Sequence, residues 1–159
     1  MGKYYYGPSM STVEKVDRVE PPGSTQYEIG RPVSMIIPLD ALAAANDIVA
    51  VENPFGHTVF IIDAIIDVKV AGGTATAVID VDITTVVTGT GDDIFDGIDA
   101  NAVGKVSMSE AGAGTNAEHT AQKWDKVGGT NAFVSAKLLV AAAADLEADL
   151  ILICVPCND

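Results

Sequence analysis

Carboxylates make up most of the chemical inventory of this chain. Asp92, Asp93, Asp96 and Asp99 crowd the loop Thr88-Gly-Thr-Gly-Asp-Asp-Ile-Phe-Asp-Gly-Ile-Asp99, and Asp63, Asp67, Asp80 and Asp82 lie on two alternating runs that precede it. Several carboxylate oxygens around one point are what a hard cation such as calcium or magnesium requires. The spacing departs from an EF-hand loop. Counting from Asp92, Ile94 stands where a ligand is needed and Val103 where a bidentate glutamate is needed. A solvated acidic turn is the expected reading of Asp92, Asp93, Asp96 and Asp99, with a cation site as the alternative. Paired carboxylates can also hydrolyse glycosides. Aspartates on an exposed sheet are ordinarily solvated charge, so the expectation is a non-enzymatic protein without a cofactor.

The other reactive side chains form no constellation. His57 and His119 are far apart and belong to no H-E-x-x-H pattern, which makes each a surface or strand-end residue. No G-x-S-x-G surrounds a serine, and Ser107 and Ser109 read as loop residues. Cys154 and Cys157 form a single C-x-x-C around Pro156. Zinc normally takes four ligands and no second pair exists, so buried or incidental thiols are expected, with a redox pair or an intersubunit metal as alternatives. Low cysteine use fits a reducing cytosol.

The elements that would position these groups are strands. In the first run Phe60, Ile62, Ala64, Ile66, Val68 and Val70 occupy one phase, with Asp63, Asp67 and Lys69 on the other. Ala77, Ile79, Val81 and Ile83 alternate with Thr76, Asp80, Asp82 and Thr84 in the second. A two-residue period is that of strands with one buried face. Ala71-Gly-Gly-Thr74 between them predicts an antiparallel hairpin, with all four aspartates on its polar face. Further strands are expected over 33–39, 47–51, 122–127, 132–140 and 149–155, the last nearly all apolar and therefore central. One helical turn fits 40–45, a short helix fits 94–106, and 107–121 reads as a Gly/Ala/Ser-rich loop. Residues 141–144 read as a loop or one helical turn. The fold class is all-β: an antiparallel β-sandwich or jelly-roll-like barrel at 33–159, preceded by an extended N-terminal arm at 1–32.

The charge is unevenly placed. The chain of 159 residues carries nine basic and 22 acidic residues, a net charge of −13. Four of each sign precede Val33, which leaves five basic against eighteen acidic residues after it. Phosphate backbones are repelled by such a field, so nucleic acid is not an expected partner. The longest uncharged apolar run, Leu138 to Ala144, falls short of the roughly 18 residues of a membrane helix, so no membrane is expected either. The start Met1-Gly-Lys-Tyr-Tyr-Tyr-Gly-Pro lacks the apolar core of a signal peptide. Gly7-Pro8, Pro21-Pro22-Gly23 and Arg31-Pro32 disfavour helix and favour an extended strap. All four tyrosines, Tyr4, Tyr5, Tyr6 and Tyr27, lie in this neutral arm. Tyrosine combines a large ring with a polar tip, which suits it to protein interfaces, although chain ends are also often simply loose.

The succession of Val59 to Val70, a glycine turn, Ala77 to Ile83, the acidic loop Gly91-Asp-Asp-Ile-Phe-Asp-Gly97, a Gly/Ala-rich excursion and a terminal hairpin at Phe133 to Val155 resembles small structural proteins of tailed bacteriophages. The resemblance spans residues 57–155 and carries no catalytic residue. It implies a jelly-roll or related sandwich made in the host cytoplasm and located in the virion, most simply a capsid decoration protein that binds the outer shell. The implied partner is the major capsid protein or another virion protein. An acidic body is repelled by packaged DNA, which favours an outer position. Self-association is expected, with a trimer as the natural stoichiometry on a capsid. The alternative is a tail or fibre module that binds host glycan through a metal-dependent acidic loop.

Overall fold

The computed structural model describes residues 30–41, 46–73, 77–85, 93–109, 116–117, 121–140 and 146–157, so the loop or helical turn expected at 141–144 lies outside the described residues. Two antiparallel sheets pack face to face, the β-sandwich expected from the alternating pattern. In one, β1 (Val33–Ala41), β10 (Leu146–Pro156), β3 (Val59–Val70) and β6 (Gly104–Ser107) lie side by side, and β8 (Gln122–Trp124) also pairs with β3. In the other the order is β2 (Asn46–Glu52), β9 (Phe133–Val140), β4 (Val78–Thr84), β5 (Phe95–Asp99) and β7 (Asn116–Ala117). The core between them is aliphatic, with Leu39, Ile61, Ile66, Ile79, Leu138, Leu150 and Leu152 fully buried around Phe95 and Trp124. The nearly all-apolar β10 is a central strand. Its Leu146, Ala148, Leu150, Leu152 and Cys154 face the core, while Ile151, Ile153 and Val155 are half-buried on the outside.

Two expected hairpins are not hairpins. β3 pairs with β10, β6 and β8, whereas β4 pairs with β9 and β5, so the Ala71-Gly-Gly connection crosses from one sheet to the other. The terminal β9 and β10 are divided between sheets in the same way. A hairpin sets two apolar faces side by side and leaves both to be covered. Crossing to the opposite sheet makes such faces cover each other, which removes more apolar surface from water.

The phase of β3 also departs from the even-numbered reading. Val59 and Ile61 are buried with Ala64, Ile66 and Val68, while Phe60, Ile62 and Val70 are exposed. Register shifts cause this. Asp63 pairs with Ile153 but Ile61 with Cys154, which leaves Ile62 as an extra residue, and Lys69 is extra between Val68 and Val70. Each bulge reverses the alternation.

The helix expected over 94–106 is replaced by β5 and β6. Ile94, Phe95 and Ile98 are all buried at a spacing that mimics a helical face. Its origin is a bulge: Val81 pairs with Phe95 and Ile79 with Ile98, so Asp96 and Gly97 together oppose the single residue Asp80. The helical turn expected over 40–45 is likewise overridden at its start, because β1 runs through Asp40 and Ala41; residues 42–45 lie outside the described residues. Within the loop expected at 107–121, Ser107 ends β6 and Asn116–Ala117 forms β7.

Candidate functional site

The acidic motif has a structural explanation. Gly97 adopts φ +73°, a conformation that costs a residue with a Cβ about 1–2 kcal/mol, and this turns the chain through the bulge. Gly97 donates its backbone N–H to Oδ1 of Asp80 at 2.8 Å. Asp80 is thereby buried, 7% exposed, and Asp82 and Thr84 on the same side of β4 are buried with it. The solvated-charge reading of Asp80 and Asp82 is therefore corrected. Asp99 closes the other end of the loop. Its Oδ1 accepts the backbone N–H of Asn101 at 2.8 Å and its Oδ2 the Asn101 side-chain amide at 3.0 Å, an Asx turn. Ala100, completely buried, donates to the carbonyl of Ala77 and accepts from Gly72. Asp93 is exposed, Asp96 is half-buried beside Asn116 in the β5–β7 ladder, and Asp92 lies outside the described residues. Among the described residues no three His, Cys, Asp or Glu side chains form a metal-holding group.

The four strand aspartates do not form one patch. Asp63 and Asp67 belong to the β1-β10-β3-β6 sheet and Asp80 and Asp82 to the other, because the expected hairpin is absent. Asp63 Oδ1 accepts from the Ala64 backbone at 2.9 Å and from the Ser107 hydroxyl at 3.2 Å, and Ser107 is in turn 2.7 Å from the Ser109 hydroxyl. Asp67 pairs with Lys105 at 3.1 Å. His57 is exposed in the turn after Pro54, and His119 lies outside the described residues. The two cysteines are free thiols in different settings. Burial pushes the Cys154 thiol up to about 12, far from a nucleophilic value. Cys157 donates its S–H to the Thr58 carbonyl at 3.0 Å.

What sequence reasoning missed is a surface. The register places Ile36, Ile151 and Ile65 in one row across β1, β10 and β3 on the outer side of their sheet. Ile153 follows in the next outward row and the pair Val155 and Phe60 in the one after it. Ile36 is 60% exposed, Ile62 42% and Phe60 39%. Ion pairs flank this apolar strip: Lys69 with Asp149 and Lys105 with Asp67 toward one end, Lys123 with Asp125 toward the other. The hydrogen bond to Asp149 raises the Lys69 ammonium above its ordinary value. An apolar centre with a charged rim is the anatomy of a protein interface. The sequence signal was ambiguous, since Val59-Phe60-Ile61-Ile62 is apolar in both phases and either set could have faced inward.

At the Phe60 end of this surface Gly30 donates its backbone N–H to the Pro156 carbonyl at 3.0 Å. Tyr4, Tyr5, Tyr6 and Tyr27 lie outside the described residues. Compared with protein-family profiles, curated proteins and solved structures, the chain matches none.

Proposed function

We propose that this protein is a non-enzymatic structural component of a bacteriophage virion, a decoration protein that binds the outer capsid shell and stabilises it. The observation that carries the reading is connectivity. Setting aside the short β7 and β8, successive strands alternate between the sheets except at β4 and β5, which are neighbours in one, giving orders β1-β10-β3-β6 and β2-β9-β4-β5. That is jelly-roll connectivity, an architecture recurrent among viral capsid and lectin domains. Two further features support a structural role. Of the aspartates offered as chemistry, Asp80 clasps a bulge, Asp99 closes a turn and Asp67 pairs with a lysine. The charge of −13 sets the body against DNA and in favour of a shell exterior.

The partner in this reading is the major capsid protein, gripped by the neutral tyrosine-bearing arm, since extended segments cover much surface per residue. The test is co-sedimentation with capsids stripped of this protein. The full chain should pellet with them and raise their disruption temperature. A chain lacking residues 1–29, shown to be folded by its Trp124 fluorescence, should remain in the supernatant. Equal pelleting of both chains would remove the arm from the mechanism, and no pelleting of the full chain would remove the capsid as partner.

A further inference from the structure

We propose that the outer face of the β1-β10-β3-β6 sheet is an interface between two copies of this chain, related by a two-fold axis. The exposed apolar side chains are concentrated there. Of the five large exposed ones within described strands, Ile36, Phe60, Ile62 and Val70 belong to this sheet and only Leu139 to the other. Ile36, Ile151 and Ile65 form a row that cross-strand spacing of about 5 Å makes continuous.

Charge selects the occupant. Any partner with the composition of this chain brings a net −13, so most approaches set like charge against like. This face is the exception. Three of the five basic residues after Val33, namely Lys69, Lys105 and Lys123, stand on it, each beside a carboxylate. Glu147 and Asp63 add two further carboxylates on the same outer side, and the rim carries both signs at its two ends, so a second copy finds carboxylates for its lysines and lysines for its carboxylates. Size agrees: a sheet four strands wide and as long as β10 presents on the order of 700 Å², close to the roughly 800 Å² per partner of a stable interface.

A face that meets itself is isologous and closes at two copies, unlike the head-to-tail contacts that build a three-fold ring. The arrangement thus departs from the trimer expected on a capsid, and it does not depend on the proposed function.

The test is sedimentation equilibrium of the full chain at micromolar concentration. The expected result is twice the mass of one chain, with Ile36→Glu and, separately, Ile62→Glu each weakening association at least tenfold while keeping the thermal transition. Leu139→Glu should leave association unchanged. A monomer or trimer for the native chain, or equal disruption by Leu139→Glu, would overturn the proposal. Loss of association in the full chain carrying Tyr4→Ala, Tyr5→Ala and Tyr6→Ala would also overturn it, by making the arm the occupant of this face. Retention of the dimer in that variant supports the sheet face.

Discussion

Asn53 should be the most sensitive polar residue of the fold. It is 1% exposed, and its side chain makes three hydrogen bonds: Oδ1 accepts the Phe55 backbone N–H at 2.8 Å, and Nδ2 donates to the His57 and Trp124 carbonyls at 3.0 Å each. Trp124 is tied to the same knot through Nε1, which donates to the Ala132 carbonyl at 2.8 Å, and its ring meets Phe55 edge-on at 6.0 Å. Asn53→Ala removes three bonds worth about 0.5–1.5 kcal/mol each and strands a buried N–H, for a loss of about 2–4 kcal/mol. In a chain of this length that corresponds to a fall in melting temperature of about 5–15 °C. Asn53→Asp keeps the acceptor for Phe55 but sets carboxylate oxygen against two carbonyls. The folded state then favours the protonated acid, its pKa lies above the unfolded value, and the variant's stability is lost as pH rises from about 4 toward 7. Urea denaturation read by Trp124, the single tryptophan, measures both effects. A cost below about 1 kcal/mol for Asn53→Ala, or a pH-independent cost for Asn53→Asp, would refute the reasoning.

Gly97→Ala should cost about 1–2 kcal/mol from backbone strain alone, because the nearest atom to an added Cβ is Val78 Cγ1 at an ordinary 3.8 Å; thermal melts read the loss. Cys154 should resist maleimide labelling in the folded chain up to pH 9 and react only on unfolding. Burial raises its folded pKa from the ordinary 9.0 to about 12, so its contribution to stability is present below pH 9 and is lost as pH rises toward 12. The Cys154→Ala variant should show a flatter stability profile over that range.

The strands were legible where one face is apolar and the other polar. Ala77, Ile79, Val81 and Ile83 are all buried as their alternation requires, and the uninterrupted apolar run of β10 is central as expected. Legibility failed at bulges. Periodicity carries no mark of an extra residue, so Ile62 and Lys69 reversed the phase of β3, and Asp96-Gly97 made a strand look helical. Part of the interaction surface was hidden for the same reason, since Phe60, Ile62 and Val70 are exposed by those reversals, and the rest because Ile36, Ile65 and Ile151 are joined only by strand pairing.

Composition and pattern by themselves determine that this chain is all-β, that its body is acidic and its arm neutral, and that its core is aliphatic; these are local properties, set by side-chain chemistry and the two-residue period. Which strands pair was decided only by the tertiary structure. Adjacent runs went to opposite sheets because two half-apolar strands bury more surface face to face than side by side, and that choice separated Asp63 and Asp67 from Asp80 and Asp82. The same packing made Asp96-Gly97 a bulge clasped by Asp80, and it brought Ile36, Ile65 and Ile151, far apart in sequence, into one outward row.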